Sequence, residues 1–147
     1  MNDEQLIAAA RAAALKAYAP YSNFSVGCAI LSVDGEVVTG ANMENACYRL
    51  GVCAEISALT AAQASFGLAN VARIAVAGGD GSGAALAGAS TVTPCGGCRQ
   101  SILEAAQLSR RDVEIVCANG DGTIHERHSI VALIPFGFGP DSLKDAG

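Results

Sequence analysis

The chain has 147 residues and a formal net charge of −5, with 9 Lys and Arg against 14 Asp and Glu. Such an acidic chain is not expected to bind nucleic acid or an anionic membrane, since either requires a dense positive surface. Hydrophobic residues make up 51% of the sequence and aromatic residues only 5%. This composition excludes long disorder and predicts an aliphatic core within one domain that spans residues 1–147.

The first half of the chain predicts two helices separated by a hairpin. Segment 3–17 has apolar side chains at spacings of three and four, which is the pattern of an amphipathic helix. Strand-forming residues fill 24–33, and Asp34-Gly35 is a turn signal before a second strand at 36–39. Irregular chain then leads to a helix at 53–66.

The second half of the chain alternates between strands and helices. Its predicted elements are a strand at 71–77, a loop rich in Gly, Ala and Ser at 78–90, a helix at 95–108, a strand at 113–118, a last strand with a short helix or turn within 123–134, and a stiff tail at 135–140. Strands that alternate with helices after an opening hairpin predict the α/β class. We expect a three-layer α/β/α arrangement around a mixed five-stranded sheet.

Three of the six cysteines lie at the predicted starts of helices. Cys95 and Cys98 are three residues apart, so both thiols lie on one face of a first helical turn and can bind one metal ion. Cys53 adds a third sulfur if its helix begins near the same point. Three protein ligands leave one tetrahedral position for water, as in catalytic zinc sites. Glu55, two residues after Cys53, is a candidate proton carrier.

Two short motifs together match a known signature. Cys53-Ala54-Glu55 followed by Pro94-Cys95-Gly96-Gly97-Cys98 is the pattern of the zinc-dependent nucleoside and nucleobase deaminases. Beyond it, the chain closely resembles the homotetrameric cytidine deaminases, through the segments YSNFSVG (21–27), NMENACY (42–48) and PCGGCRQ (94–100). The likeness extends from about residue 18 to residue 143.

The resemblance implies a cytidine deaminase-like fold, a homotetramer and a function in pyrimidine salvage. A cytoplasmic location is expected separately, because the first residues, MNDE (1–4), are acidic where a signal peptide would be basic. The implied reaction is hydrolysis of cytidine and 2′-deoxycytidine to uridine and 2′-deoxyuridine, with release of ammonia. Zn²⁺ is the implied cofactor, with Cys53, Cys95 and Cys98 as its ligands and Glu55 as the proton carrier.

The resemblance also implies a set of residues that contact the nucleoside. Phe24 corresponds to a ring that packs against the pyrimidine, and Asn42 and Glu44 correspond to residues that hold the ribose hydroxyls. Tyr48 and Phe138 correspond to residues that complete a pocket shared between subunits. The whole implied set is Phe24, Asn42, Glu44, Tyr48, Ala54 and Phe138.

Position 56 departs from the family pattern and keeps other interpretations open. Ile56 stands where many tetrameric members have an arginine that is thought to offset the thiolate charge, so Arg49, Arg99 or the two helix N-termini would have to replace it. One alternative function is a deaminase of a modified cytosine nucleoside, similar to the blasticidin S deaminases. Others are a non-catalytic zinc-stabilised binding module with Cys47 as fourth ligand, and a redox pair at 95 and 98.

The remaining cysteines and histidines are expected to have no chemical function. Cys28 and Cys117 lie in predicted apolar strands and are expected to be buried, and packing is also favoured for Cys47. His125 and His128 follow a turn in a strand-like stretch, where their rings would face opposite sides of the sheet. We therefore expect surface histidines there.

Overall fold

The computed structural model describes residues 1–146 and contains one five-stranded sheet. The strands are β1 (Phe24–Ser32), β2 (Val37–Ala41), β3 (Val71–Asp80), β4 (Glu114–Asn119) and β5 (His125–Ser129). Their order in the sheet is β2-β1-β3-β4-β5. Only β3 and β4 pair in parallel, and the other neighbours are antiparallel. The prediction of a mixed five-stranded sheet is confirmed.

Helices cover both faces of this sheet. They are α1 (Asp3–Ala14), α2 (Ala54–Ser65), α3 (Gly96–Ser109), α4 (Ile130–Leu133) and α5 (Pro140–Ala146). On one face, Leu6 and Ile7 of α1 pack against Leu31. On the other face, Ile30, which is the residue directly before Leu31 in β1, packs in a cluster with Ile102 of α3 and Ala58 of α2. Alternate strand residues thus enter opposite layers, and the predicted three-layer α/β/α arrangement is confirmed.

Glycines allow the helices to lie unusually close to the first hairpin. A Cβ atom on Gly27 of β1 would lie 1.9 Å from the carbonyl oxygen of Ala10 in α1. A Cβ atom on Gly40 of β2 would lie 2.4 Å from the backbone nitrogen of Ala58 in α2. The backbones of α1 and α2 therefore touch the sheet where only glycine fits.

Helix α1 and strand β3 each end three residues away from the predicted position. Helix α1 stops at Ala14 because the following chain pairs with the segment after β2, where the Tyr18 amide donates to the Asn42 carbonyl. Strand β3 continues three residues beyond the prediction, through Gly78 and Gly79 to Asp80. A Cβ atom on Gly79 would lie 2.2 Å from the carbonyl oxygen of Ala87, so the loop after β3 folds back tightly on the strand. The predicted loop therefore begins later.

The C-terminal part contains a helix that the sequence did not predict. Segment 135–139 has no regular structure, but α5 begins at Pro140, a residue that favours the first position of a helix. The amide of Asp141 donates a hydrogen bond to the side chain of Gln107 in α3, at 2.9 Å. Over residues 1–146, every helix is too short or too polar to cross a membrane.

The predictions for the other cysteines and the histidines have mixed outcomes. Cys28 and Cys117 are fully buried in the layer of α2 and α3, as expected, and burial raises the pKa of Cys117 to about 12. The preference for packing at Cys47 is wrong, because its side chain is exposed. Both histidines lie in β5; His125 is exposed as expected, whereas His128 is half-buried, and its Nε2 is 3.1 Å from a carboxylate oxygen of Glu126.

Candidate active site

Two helix N-termini bring three sulfur atoms together. Cys53 is the N-cap residue of α2, Cys95 is the N-cap residue of α3, and Cys98 lies in the first turn of α3. Their Sγ atoms all lie within 4.8 Å of one another. The condition set by the sequence, that α2 begins near the start of α3, is met.

Hydrogen bonds favour the thiolate form of Cys95, whereas burial disfavours the thiolate forms of Cys98 and Cys53. Hydrogen bonds from the backbone of Cys98, and a further one from Gly97, lower the pKa of Cys95, although partial burial acts in the opposite direction. Burial raises the pKa of Cys98, and the charge of Glu55 raises it further. The pKa of Cys53 is also raised, mainly by burial. A cation among the three sulfurs would remove the conflict at Cys98, because it favours the thiolate.

The three sulfurs fit a zinc ion by both type and spacing. Thiolates are common zinc ligands, and two sulfurs that are each about 2.3 Å from one tetrahedral ion lie about 3.8 Å apart, which is within the observed limit of 4.8 Å. The cluster consists of Cys53, Cys95 and Cys98, and among the described residues 1–146 Cys47 is not part of it. The four-cysteine structural site is therefore not formed, and the three sulfurs match the ligand number of a catalytic zinc site.

Glu55 lies beside the sulfur cluster. Its side chain is 5% exposed, and its Oε2 atom is 3.3 Å from Sγ of Cys98, which donates a hydrogen bond to it. Because Glu55 is in the first turn of α2, two residues after Cys53, it points into the same site without belonging to the sulfur group. A carboxylate at this distance can exchange protons with groups bound at the cluster.

A cleft of about 430 Å³ opens onto this cluster. Its lining contains five of the six predicted nucleoside contacts together with Cys53, Glu55 and Cys95; those five are Phe24, Asn42, Glu44, Tyr48 and Ala54. A volume of this size is within the range of small-molecule sites. The structure therefore brings the two predicted groups, metal ligands and nucleoside contacts, to one cleft.

Hydrogen bonds with residues 21–26, which form the turn before β1 and the start of that strand, hold the side chains of Asn42 and Glu44. Oδ1 of Asn42 accepts from the Val26 amide at 2.8 Å, and Nδ2 donates to the Phe24 carbonyl at 2.9 Å. The Glu44 carboxylate accepts from the amides of Tyr21 and Ser22, and from the Ser22 hydroxyl at 2.6 Å. Asn42 keeps one amide hydrogen, and Glu44 keeps lone pairs, for further hydrogen bonds.

Phe138 lies outside the lining of this cleft in the described chain. Its carbonyl accepts a hydrogen bond from Nε2 of Gln100 at 2.6 Å, and the residue is 61% exposed. Tyr48 lines the cleft but is 79% exposed, with its ring edge-on to that of Tyr21. Both aromatic side chains are therefore free to contact another molecule.

The structure also shows where the unusual Ile56 lies. It lines a separate groove between α2 and α3, together with Gln100 and Glu104. The guanidinium group of Arg99 donates to the carbonyls of Pro94 and Leu133, at 2.7 and 3.0 Å. Arg99 therefore fixes the chain that enters the Cys95 turn, while backbone amides at the N-terminus of α3 stabilise the Cys95 thiolate.

Several residues of the cleft were missed by the sequence interpretation. Val92 and Thr93 line it directly before the Pro94-Cys95 turn, and Val26 lines it two residues after Phe24. Ser22 holds Glu44 from the adjoining turn. Ser22 and Val26 lie inside the quoted segment 21–27, and Val92 and Thr93 lie directly before the segment 94–100. These positions are the only signal in the sequence, since none of these side chains is distinctive by itself.

Comparison with known proteins agrees with this geometry. The family model described as "Cytidine and deoxycytidylate deaminase zinc-binding region" matches residues 1–114, which include the three cysteines and Glu55. A cytidine deaminase of Halalkalibacterium halodurans is 39% identical over 145 residues, which cover 99% of this chain and 100% of that protein.

Solved structures give the same result. The crystal structure of cytidine deaminase from Burkholderia pseudomallei has a TM-score of 0.79 and 40% identity, and covers 94% of this chain and 100% of its own. That of cytidine deaminase from Mycobacterium tuberculosis has a TM-score of 0.73 and 33% identity, over 95% of this chain and 98% of its own. Together with the three-cysteine cluster, the family match confirms zinc as the cofactor. The chain belongs to the cytidine and deoxycytidylate deaminase family, whose zinc-binding region it contains.

Proposed function

We propose that this protein hydrolyses cytidine and 2′-deoxycytidine to uridine and 2′-deoxyuridine, releasing ammonia. The observation that carries the proposal is the cleft of about 430 Å³ that opens onto three clustered sulfurs and Glu55. The relatives named cytidine deaminases align with nearly the whole chain, which supports the same reaction here.

In this proposal, Cys53, Cys95 and Cys98 hold the zinc ion. Bound zinc acts as a Lewis acid and lowers the pKa of the attacking water toward neutrality. The N-termini of α2 and α3, each with a partial positive charge of about half an elementary charge, offset the negative charge of the thiolates. In this proposal, the two helix N-termini supply the compensation that the resemblance assigns to an arginine in many tetrameric members, at the position where this chain has Ile56.

Glu55 carries the protons of the reaction. Its carboxylate accepts a proton from the attacking water and donates it to N3 of the pyrimidine, which makes C4 electrophilic. The remaining hydroxide then adds to C4, Glu55 transfers its proton to the amino group, and the C4–N bond breaks so that ammonia leaves. The oxygen remains on C4 as the carbonyl of the uridine product. The burial of Glu55 keeps bulk water from competing for these transfers.

The nucleoside is held by the walls of the cleft. Phe24 packs against the pyrimidine ring, and Ala54 at the start of α2 lies beside it. Asn42 and Glu44 bind the ribose hydroxyls through the hydrogen-bonding capacity that the turn and strand leave free. Holding the sugar in place would position C4 of the pyrimidine beside the metal site. This orientation of the reacting atoms increases the reaction rate.

A homotetramer completes the cleft in this proposal, and Phe138 enters the cleft of a neighbouring subunit. Support comes from large apolar side chains that are exposed in the isolated chain: Tyr48 is 79% exposed, Leu50 62% and Phe138 61%. A tetramer in sedimentation experiments would agree with it. We further propose a single domain over residues 1–147, and the cytoplasmic location expected from the acidic first residues stays a prediction.

An ultraviolet assay across a panel of substrates tests the proposed function. We expect turnover of cytidine and 2′-deoxycytidine, with ammonia released in equal amount, and none of cytosine or adenosine. Blasticidin S is the decisive alternative substrate. Its preferential hydrolysis would assign the chain to modified cytosine nucleosides, and no turnover of any substrate by the zinc-loaded protein would favour a binding module.

A further inference from the structure

Ser22 forms a bridge between the start of β1 and Glu44. Its hydroxyl oxygen accepts a hydrogen bond from the Phe24 amide at 3.0 Å. The same hydroxyl donates its single hydrogen to Oε2 of Glu44 at 2.6 Å, and the Ser22 amide donates to Oε1 at 3.2 Å. Because the Phe24 amide occupies a lone pair of the hydroxyl, the hydrogen is directed toward Glu44.

The backbone conformation of Asn23 brings the Phe24 amide into position for this bridge. Asn23, between the two bridged positions, has a φ of 57°, in the left-handed region that Asn tolerates better than most residues. This conformation turns the Phe24 amide back toward Ser22. The Asn23 carbonyl also accepts from the Gly81 amide at 2.9 Å, so the turn is anchored to the loop after β3.

Glu44 depends on this turn for its orientation. All three hydrogen bonds that its carboxylate accepts come from Tyr21 and Ser22 within the described chain. The Ser22 hydroxyl makes the largest contribution to lowering the pKa of Glu44, and the two backbone amides add to it. The carboxylate is thus held ionised and in one position at the rim of the cleft.

We propose that Ser22 is a positioning residue for nucleoside binding, which acts by fixing the Glu44 carboxylate against the start of β1. The inference rests on the proposed function, because it takes Glu44 as the ribose contact. Ser22 needs no contact with the nucleoside itself. Its loss weakens substrate binding and leaves the chemistry at Glu55 and the sulfur cluster unchanged.

The test compares steady-state kinetics on cytidine for Ser22→Ala, Ser22→Thr, Glu44→Ala and the double variant. Ser22→Ala removes the hydrogen bond to the Glu44 carboxylate and the one accepted from the Phe24 amide. Loss of the bond to the charged group should raise KM about tenfold, with kcat unchanged within about twofold. Ser22→Thr, which keeps the hydroxyl, should restore the KM. The double variant should have the same KM as Glu44→Ala alone, because Ser22 acts only through Glu44.

A control serine and two structural readouts complete the design. Ser109→Ala removes a hydroxyl that bonds to the Ala106 carbonyl at the end of α3, and should change neither KM nor kcat. Zinc content and melting temperature should match the wild type in every Ser22 variant. A Ser22→Ala chain that is unfolded or lacks zinc would overturn the inference in favour of a general structural role.

The kinetic outcomes separate this inference from the proposed function. An unchanged KM in Ser22→Ala, or the same fold-increase with and without Glu44, would overturn the inference while the deaminase function stands. A wild-type chain that is inactive on cytidine would overturn both. A raised KM that Thr rescues and that vanishes in the Glu44→Ala background supports the assignment of Ser22.

Discussion

Oε2 of Glu55 lies 3.3 Å from Sγ of Cys98, so the buried carboxylate is next to the sulfur cluster. Both side chains project from the first turns of helices, Glu55 from α2 and Cys98 from α3. The contact therefore depends on the convergence of two helix N-termini. In the proposed reaction, it places the proton carrier beside the site where water attacks.

Replacing the carboxylate tests the function of Glu55. Glu55→Gln should keep the fold and one equivalent of zinc, because the amide has nearly the same size and the sulfurs remain. Activity should fall by about 10²–10⁴-fold, since an amide cannot carry protons. The measurement is kcat/KM on cytidine alongside zinc analysis. Glu4→Gln, an exposed acid in α1, serves as the matched control; near-normal turnover by Glu55→Gln would refute its function.

The cysteines outside and inside the cluster should differ in their effect on zinc. Cys98→Ser should lose zinc, because it removes a buried sulfur from a three-ligand site. Cys47→Ser should retain zinc and activity, since that exposed side chain does not belong to the group. Atomic absorption on the purified variants gives the answer, and loss of zinc from Cys47→Ser would restore the four-cysteine interpretation.

Phe138 should contribute to nucleoside binding without affecting the metal. In the proposed tetramer its ring enters a neighbouring cleft, so Phe138→Ala should raise KM roughly tenfold and leave zinc bound. Phe136→Ala is the control, because Phe136 is fully exposed and lies two residues earlier in the same segment. If both variants keep the wild-type KM, the tail does not reach a substrate.

The contact of α1 with β1 should tolerate no side chain at position 27. A Cβ atom there would lie 1.9 Å from the Ala10 carbonyl oxygen and 2.5 Å from the Ala14 amide nitrogen, both in backbone that cannot move independently. We expect Gly27→Ala to lower the free energy of unfolding by about 3 kcal/mol. Gly83→Ala, with its nearest atom at 3.8 Å, should be near neutral. Denaturant unfolding of both variants checks this, and equal stabilities would contradict the close packing.

The site could be predicted to the extent that it depends on short motifs. Cys53 precedes a stretch of good helix formers, and Cys95 follows Pro94 a few residues before the helix-forming run RQSILEAAQL (99–108), so their positions at helix N-termini followed from local sequence. Their convergence required the sheet order, which places α2 and α3 on the same face. The spacing of Cys95 and Cys98 could not by itself identify Cys53 as the third ligand.

Features that depend on contacts between segments far apart in the chain could not be predicted from local sequence patterns. Gly79 belongs to a longer β3 because the loop at Ala87 closes over it, which a run of glycine and alanine does not indicate. The hydrogen bonds between Ser22 and Glu44 join residues 22 positions apart. Helix α5 was missed although Pro140 is a helix-start residue, because the surrounding Gly and Pro suggested a stiff tail.

The most direct test of the account is the dependence of cytidine hydrolysis on zinc in the same sample. The loss of ultraviolet absorbance of cytidine is followed before chelation, after removal of the metal, and after one equivalent of zinc per chain is returned. We expect activity to disappear with the metal and to recover at one equivalent. Full turnover by metal-free protein, or recovery that fails although all three cysteines have bound zinc again, would contradict the account.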